Sequence, residues 1–247
     1  MKNNGKILGI MGGMGSQASV FLYNLIIDKS PAQTDNENIE IFIHNNSAIP
    51  DRTEAISYFG KDPFPEMLRS ARILDQLRAD YIIIACVTAH YYAERLQQEL
   101  KYSKILNLFH IIPAYLKVNF PDAESFGILG TTGLVKTGLW DAALESINAR
   151  PSYLPPNLQE NLFMEAVYGA DGVKSGIKSM SPKIKLVKAC KEFEQSGVNV
   201  VLSSCSEVPL ALTNQDVDIT LVDIFDVLVD HTLSYYYTVV ECEEFVL

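Results

Sequence analysis

The sequence has little positive charge, no long apolar run and no clustered cysteines. Its 247 residues include 20 Lys and Arg against 30 Asp and Glu, which gives a formal net charge of −10. Proteins that bind nucleic acid or anionic membranes through general electrostatics need a basic face, so we expect neither kind of partner. An anionic substrate must therefore be held by a few local cations, because the overall field repels it.

No apolar segment is long enough to cross a membrane. The longest uninterrupted apolar run, residues 81–87, is far shorter than the roughly 18–20 residues that a spanning helix needs. The apolar beginning of the chain contains Gly9, Gly12 and Gly13, which predicts a strand and a loop in place of a signal peptide. The sequence therefore predicts a cytoplasmic protein.

The cysteines are few and widely spaced, at positions 86, 190, 205 and 242. No C-x-x-C pair and no Cys/His cluster with zinc spacing occurs, so we predict no metal site. The pattern is typical of free thiols in a reducing compartment. Cys190 falls in a predicted helix and Cys242 in the acidic C-terminal segment, and neither is assigned a function.

Short apolar, β-branched segments alternate with longer segments of helical period. Strands are predicted at residues 6–11, 39–46, 81–86, 104–109, 125–130, 151–154, 198–205 and 219–224. Helices are predicted between them at residues 16–29, 65–78, 90–100, 136–148, 182–196 and 225–236. This alternation predicts an α/β fold with parallel sheets that are doubly wound, with helices on both faces.

The two halves of the sequence also resemble each other. Gly9 aligns with Gly127, each in a predicted strand that leads into a loop of small residues. Cys86 aligns with Cys205, each at the end of a predicted apolar strand. We therefore predict two similar lobes: residues 1–115 plus about 226–247 form the first, and residues 116–225 form the second. Ligands of such sheets bind beyond the carboxyl ends of the strands, so the active site is predicted in the cleft between the lobes.

Cys86 and Cys205 follow equivalent strands of the two halves. Each is predicted to precede a helix, whose dipole and free N–H groups favour a thiolate. One such cysteine is usually a packing residue, but two on opposite walls of a cleft indicate a function. Two opposed thiols suit the inversion of a carbon with an acidic C–H, because one group removes a proton from one face and the other supplies a proton to the opposite face.

One glycine-containing loop follows the first strand of each half, at residues 12–15 in the first half and 130–133 in the second. The first loop formally satisfies the G-x-G-x-x-A dinucleotide fingerprint, but the strand at 39–46 ends without the acid that would bind a ribose. We therefore interpret both loops as binding sites for a carboxylate at a helix N-terminus. Simple tight turns are the alternative.

Four further polar residues each have more than one interpretation. Arg52 can clamp a carboxylate or form a surface ion pair, and Lys174 in its glycine-rich loop is either a ligand or a solvated side chain. His90 can pair with the Cys86 thiol or, as we favour, pack at the start of a helix. Glu207 can bind a substrate ammonium, tune the Cys205 thiol or stabilise a helix dipole.

Five segments then carry a resemblance. They are GIMGGMG at 9–15, NSAIPDRT at 46–53, CVTAH at 86–90, AVYGADGVKSG at 166–176 and CSEVP at 205–209. Together, and over essentially the whole chain, they resemble the aspartate/glutamate racemase superfamily, most closely its aspartate racemases that work without pyridoxal phosphate. The resemblance implies a two-lobed fold, a C-terminal helix packed on the first lobe, no cofactor, and a homodimer.

The resemblance also implies a site. Its acid/base pair would be Cys86 and Cys205, with Arg52 and Lys174 as ligands of the substrate carboxylates. Further substrate contacts are expected from a set of residues on the loops around the two thiols: Met11, Gly12, Gly13, Val87, Thr88, Thr131, Thr132, Ser206 and Glu207. Two of these depart from the family pattern, since Val87 replaces a common Asn and Ser206 a common Thr.

The sequence therefore predicts a cofactor-independent racemase that interconverts L- and D-aspartate or a closely related acidic amino acid. One alternative is a diacid isomerase or decarboxylase of the same superfamily. A second is a non-catalytic dicarboxylate-binding protein. A third, a nicotinamide-dependent oxidoreductase, is disfavoured by the missing ribose-binding acid.

Overall fold

The first half of the chain forms a parallel sheet. The computed structural model describes residues 2–238, so the predicted end of the first lobe at 239–247, including Cys242, lies outside it. The strands of this half are β1 (Lys2–Asn3), β2 (Ile7–Gly12), β3 (Glu40–Asn45), β4 (Tyr81–Ile84) and β5 (Lys104–Ile105). The sheet order is β3-β2-β4-β5, and all of its neighbouring strands are parallel.

The second half repeats this arrangement. Its strands are β6 (Ser125–Leu129), β7 (Arg150–Ser152), β8 (Val200–Ser203), β9 (Thr220–Asp223) and β10 (Tyr237–Thr238). The order of the second sheet is β7-β6-β8-β9, which matches the order β3-β2-β4-β5 of the first sheet strand for strand. The predicted duplication of two doubly wound α/β lobes is therefore visible in the topology. The short strands β1 and β10 pair antiparallel and bring the two ends of the described chain together.

Helices cover both sheets. The α-helices are α1 (Ser16–Lys29), α2 (Arg52–Ser57), α3 (Phe64–Gln76), α4 (Ala93–Gln97), α5 (Leu108–Asn119), α6 (Thr132–Thr137), α7 (Leu139–Glu145), α8 (Pro156–Leu158), α9 (Glu165–Tyr168), α10 (Ser181–Gln195) and α11 (Ile224–Ser234). Short 3₁₀ helices lie at Asp35–Glu37, Thr88–Tyr92, Val173–Ser175, Val208–Leu210 and Asn214–Asp216, and a π-helix at Gln159–Met164. No helix within residues 2–238 combines the length and apolar character needed to span a membrane.

One apolar cluster spans the two lobes. It contains Ile10 and Ile83 from the first sheet and Ile128 and Leu202 from the second. Trp140, only 1% exposed, packs in the same cluster, with its ring centroid 4.8 Å from that of a neighbouring phenylalanine. The other face of each sheet packs in a separate cluster within its own lobe. Apolar side chains are thus buried on both faces of the strands, as expected for parallel sheets.

The strand predicted at residues 104–109 is shorter in the structure and ends at Ile105. The side chain of Asn107 accepts a hydrogen bond from the backbone N–H of Phe109 and begins helix α5, which continues through Pro113. An Asn cap satisfies a free N–H at a helix start, and this local signal outweighs the apolar residues on which the strand prediction depended. Likewise, the predicted helix 136–148 is divided by Gly138 into α6 and α7.

The C-terminal helix returns to the first lobe. Helix α11 contacts α1 and α5, and Lys29 of α1 forms ion pairs with Asp226 and Asp230 of α11 at 2.8 and 2.7 Å. These contacts agree with the placement of the C-terminal segment in the first lobe, while the residue boundaries of the two lobes stay a prediction.

Candidate active site

Cys86 and Cys205 occupy equivalent places in the two lobes. Each lies two residues beyond the end of a central strand, β4 for Cys86 and β8 for Cys205. Both are free thiols, 6% and 4% exposed. The carboxyl edges of both sheets therefore each present one buried thiol.

The helices that follow the two cysteines are shorter than predicted. Cys86 precedes a 3₁₀ helix, Thr88–Tyr92, and Cys205 precedes one of only three residues, Val208–Leu210. The expected helix at 90–100 is this 3₁₀ turn followed by α4. A helix dipole grows with the number of aligned peptide units, so these turns favour a thiolate less than the predicted helices would.

The Cys205 thiol is bound to a carboxylate. Its Sγ donates a hydrogen bond to Oε2 of Glu207 at 3.0 Å, and the hydroxyl of Ser206 donates to the same oxygen at 3.0 Å. Burial and then the negative charge of Glu207 raise the pKa of the Cys205 thiol well above its ordinary value. Cys205 is therefore a protonated thiol in this state of the protein.

The other oxygen of Glu207 binds a cation. Nζ of Lys174 lies 2.9 Å from Oε1 of Glu207, whose side chain is 5% exposed. Burial opposes the charge of Lys174, but the carboxylate of Glu207 and the sulfur of Cys205 outweigh this effect and raise the pKa of Lys174. A Cβ at Gly15 would approach Oε1 to 2.9 Å, so a larger residue there would shift the carboxylate of Glu207.

Arg52 is buried in the first lobe near Cys86. It is the first residue of α2, whose preceding residue, Asp51, caps the helix by accepting a hydrogen bond from Glu54. Its Nη2 donates to the carbonyl of Met14 at 2.7 Å, and its buried Nε has no hydrogen-bond partner among residues 2–238. Burial opposes the charge, but the neighbouring Cys86 and Asp51 outweigh it and raise the pKa of Arg52. The guanidinium thus stays charged and keeps a free donor.

The two cations share one acceptor. Lys174 of the second lobe also donates to the carbonyl of Met14, at 3.2 Å, so its ammonium and the guanidinium of Arg52 lie side by side. Glu207 neutralises one of these charges directly. Two adjacent cations with one buried carboxylate make this part of the cleft electropositive within an acidic protein.

The loop at 12–15 contacts the two cations through its backbone. The N–H of Gly13 donates to the hydroxyl of Ser19 at 3.1 Å, and the carbonyl of Met14 faces the cations. Gly13 has φ +90°, and a Cβ there would lie 2.3 Å from the backbone of Asn46. The loop therefore presents one acceptor to Arg52 and Lys174, and its role as a carboxylate site stays a prediction.

The threonines predicted as contacts divide into two groups. The hydroxyls of Thr88 and Thr131 share a hydrogen bond of 2.9 Å across the lobes, and Thr131 also caps α6 by accepting from the N–H of Leu134. The hydroxyl of Thr132 donates instead to Oε1 of Glu160 at 2.6 Å. The structure thus places Thr88 and Thr131 at the junction of the lobes and gives Thr132 a different partner.

Three predicted contact residues lie within packed regions. Met11 is fully buried in an apolar cluster of the first lobe, and Val87, 1% exposed, packs in the core shared by the lobes. A Cβ at Gly12 would lie 2.3 Å from the hydroxyl oxygen of Ser19. The side chains of Met11 and Val87 therefore serve packing, which the sequence did not indicate.

His90 contacts the backbone beside Cys86. Its Nδ1 lies 2.9 Å from the carbonyl oxygen of Cys86, and burial lowers the pKa of His90 to about 4. A neutral imidazole that binds a carbonyl packs the helix start, which is the reading favoured above over a thiol–imidazole pair.

Sequence reasoning assigned no role to Tyr168. Its hydroxyl donates to Oδ2 of Asp51 at 3.1 Å across the lobes, and Nζ of Lys174 lies 5.3 Å from the centre of its ring. The carbonyl of Met14 was missed as well, because a backbone group leaves no signal in residue type. Among residues 2–238, no group of three His, Cys, Asp or Glu side chains has the geometry of a metal site.

Two similar α/β lobes, each with a four-stranded parallel sheet and a thiol at its carboxyl edge, define a two-lobed α/β protein. The sequence profile of the Asp/Glu/Hydantoin racemase family matches residues 11–232. The chain belongs to this family.

Solved structures agree with this fold. The aspartate racemase of Picrophilus torridus superposes with a TM-score of 0.78 at 21% identity, covering 95% of this chain and 96% of that one. An aspartate racemase homologue from Pyrococcus horikoshii gives 0.70 at 18% identity, covering 93% and 99%. The glutamate racemase of Francisella tularensis, solved with D-glutamate, gives 0.66 at 14% identity, covering 94% and 81%. At these identities the likeness establishes the two-lobed fold.

Proposed function

We propose that the protein is a cofactor-independent racemase of a small acidic amino acid, with aspartate as its substrate. One observation carries the proposal: Arg52 and Lys174 both donate to the carbonyl of Met14, and Glu207 connects Lys174 to the Cys205 thiol. A carboxylate bound by the two cations would lie beside this thiol, while the other thiol follows the equivalent strand of the first lobe.

The cations favour a substrate with two carboxylates. Arg52 and Lys174 are both bound to the neutral carbonyl of Met14, and a carboxylate is a stronger acceptor for charged donors. The unpaired Nε of Arg52 supplies a further donor for a bidentate contact. Among the described residues, Glu207 is the acidic group that contacts Lys174, and it is suited to accept the ammonium of an amino acid.

The two thiols can carry out a two-base inversion. A thiolate at Cys86 removes the α-proton and becomes a thiol, and the electron pair left on Cα delocalises into the α-carboxylate. Cys205 then donates its S–H proton to the opposite face of Cα and becomes the thiolate. Cys205 starts as the acid because its thiol is held protonated beside Glu207. The reverse reaction exchanges the two roles.

Fixed charges stabilise the intermediate. The developing negative charge on the α-carboxylate lies beside Arg52 and Lys174, which are oriented before the substrate arrives. Preorganised charges in a site with little water stabilise a transition state more than mobile solvent does. The α-hydrogen of an amino acid bound here is therefore made more acidic by the protein's own side chains.

The test is proton NMR of L-aspartate, and separately of D-aspartate, with the reduced protein in D₂O and no added cofactor. We expect loss of the α-proton signal from both enantiomers together with decay of optical rotation. Binding without exchange would identify a dicarboxylate-binding protein, and turnover of a diacid without exchange from aspartate would identify an isomerase or decarboxylase. Either result overturns the proposal. The variant with Ala at both Cys86 and Cys205 is the control for uncatalysed exchange.

A further inference from the structure

A second cavity lies at the carboxyl edge of the second sheet, the edge beyond which ligands of α/β sheets bind. Its volume is about 560 Å³, which is within the range of small-molecule sites. The first lobe contributes helices α1 and α5 to its walls, and the second contributes the ends of β8 and β9. Within the described part of the chain, no residue assigned to the candidate active site lines it. We name it the β8/β9 cavity.

The walls of the β8/β9 cavity are mainly apolar. Phe21 of α1, Tyr115 of α5 and Phe120, which directly follows α5, are half-buried and line it. The ring centroids of Tyr115 and Phe120 lie 6.4 Å apart, with their planes at 63°. Aromatic rings pack against apolar groups, and their faces also attract a cation. These walls therefore suit an apolar ligand, including one that carries a positive charge.

Two polar side chains lie next to each other in this cavity. Ser203 and Asp223 both line it, and they are paired residues of the parallel strands β8 and β9. Each is the last residue of its strand. Paired residues of neighbouring strands lie only about 5 Å apart and project their side chains from the same face of the sheet. The hydroxyl and the carboxylate therefore converge on one place at the carboxyl edge.

The hydroxyl of Ser203 is buried and unpaired. The residue is 1% exposed, and its Oγ has no hydrogen-bond partner among residues 2–238. A buried polar group without a partner costs free energy, so native proteins rarely keep one that has no function. This hydroxyl is therefore available to a ligand that enters the β8/β9 cavity.

The carboxylate of Asp223 is charged, and the cation nearest to it is used by other acids. The charged side chains that face Asp223 are Asp226 of α11 and Lys29 of α1. Nζ of Lys29 lies 2.8 Å from Asp226 and 2.7 Å from Asp230. Burial raises the pKa of Asp223 to about 6, so the group is ionised at pH 7.5. A largely buried carboxylate is stabilised by a cationic hydrogen-bond donor, and a cationic ligand would supply one.

We propose that the β8/β9 cavity binds a small primary amine with an apolar body. Its ammonium would donate to the carboxylate of Asp223 and the hydroxyl of Ser203, and its body would pack against Phe21 and Tyr115. An ammonium has three donors and can satisfy both groups at once. A metal ion fits less well, because it needs about six oxygen ligands and the walls are mainly apolar.

The experiment uses 2-phenylethylamine as the probe and 2-phenylethanol, which has the same body and a hydroxyl in place of the ammonium, as its neutral control. NMR titration of the ¹⁵N-labelled full chain at pH 7.5 measures both dissociation constants. The cavity variants are Asp223→Asn and Ser203→Ala. The matched control is Asp230→Asn, which removes a carboxylate from the same helix, α11, at a position that is 61% exposed and does not line the β8/β9 cavity.

We expect the wild type to bind the amine at least about tenfold more tightly than the alcohol, because only the amine makes a charge-assisted hydrogen bond. Asp223→Asn should abolish this preference, and Asp230→Asn should keep it. Ser203→Ala should weaken binding of the amine by about threefold or more, the contribution of one hydrogen bond. Circular dichroism establishes that every variant is folded.

Three results would overturn the proposal. They are an amine that does not bind at about 10 mM, equal affinities for the two probes in the wild type, and unchanged affinities in both cavity variants. The last result would place the amine elsewhere, for example at Glu207. None of these results depends on whether the protein racemises aspartate.

Discussion

Nζ of Lys174 lies 2.9 Å from Oε1 of Glu207, while Oε2 of the same carboxylate accepts the thiol of Cys205. One carboxylate thus connects the cation expected to hold the substrate with the acid expected to protonate it. Because the side chain of Glu207 is almost fully buried, loss of its charge would leave both neighbours in an altered field. Binding and proton transfer are therefore expected to depend on each other in this site.

This connection makes Glu207→Gln informative. Removing the negative charge should lower the pKa of Cys205, and alkylation of this thiol near pH 8 should become about threefold faster per unit of pKa, because the gain in thiolate is partly offset by its lower nucleophilicity. Mass spectrometry of iodoacetamide-treated protein measures the rate at each cysteine. Cys190 is the internal control, since burial raises its pKa to about 12. An unchanged pH profile for Cys205 would contradict the role given to Glu207.

Removal of either thiol should have unequal consequences. We expect Cys86→Ala and Cys205→Ala each to reduce racemisation by at least about 10²-fold, the contribution typical of one positioned acid or base. Because the Cys205 thiol holds its proton, Cys205→Ala should still exchange the α-proton of one enantiomer through Cys86, and Cys86→Ala should exchange neither. Deuterium incorporation, followed separately for each enantiomer, distinguishes these outcomes. Wild-type racemisation by both variants would exclude the two-thiol mechanism.

The backbone of the glycine loop makes a prediction about stability. Gly13→Ala requires a left-handed φ of +90° and places a Cβ 2.3 Å from the backbone of Asn46, so it should destabilise the protein by about 3 kcal/mol or more. Gly176→Ala is the matched control. Gly176 also has a positive φ, +73°, but no atom lies within 4 Å of its added Cβ, and its cost should be only about 1 kcal/mol. Urea unfolding measures both, and equal losses would show that the close contact at Asn46 is unimportant.

The larger features could be predicted because they depend on patterns that repeat. Apolar strands alternating with helical segments gave the two parallel sheets, and the matching positions of Cys86 and Cys205 located the thiols at their carboxyl edges. Helix α1 has the predicted bounds because no Gly or Pro interrupts its 14 residues, while Gly15 precedes it and Pro31 follows it closely.

The details that could not be predicted depend on contacts between distant segments. Nothing in residue type shows that Arg52 and Lys174 share the carbonyl of Met14, or that Val87 packs into the core between the lobes. The start of α5 was missed because Asn107 acts as a cap within a run that also suits a strand. Such choices are decided by tertiary packing and by local capping, which compete with propensity.

Asp223 predicts a pH dependence of stability outside the site. It caps α11 by accepting a hydrogen bond from the N–H of Phe225, and burial raises its pKa to about 6. The folded protein therefore holds this proton more tightly than the unfolded chain, so the stabilisation is present below about pH 4 and is lost as the pH rises through about 6. A shift of about two units corresponds to at most about 3 kcal/mol. Asp223→Asn keeps a capping oxygen and removes the charge, so its stability relative to wild type should increase by up to that amount between pH 4 and pH 7.

Asp75 provides a control of opposite sign for this measurement. Burial opposes its charge, but backbone N–H groups that include those of Ser103 and Tyr102 outweigh this effect and lower its pKa. Its carboxylate therefore contributes stability above its unfolded pKa, and this contribution is lost as the pH falls. Urea unfolding at several pH values should show Asp75→Asn losing more stability at pH 7 than at pH 4, while Asp223→Asn gains relative to wild type over the same range. If both variants change in the same direction, the stability profile reflects the net charge of the chain, and the buried position of Asp223 does not determine it.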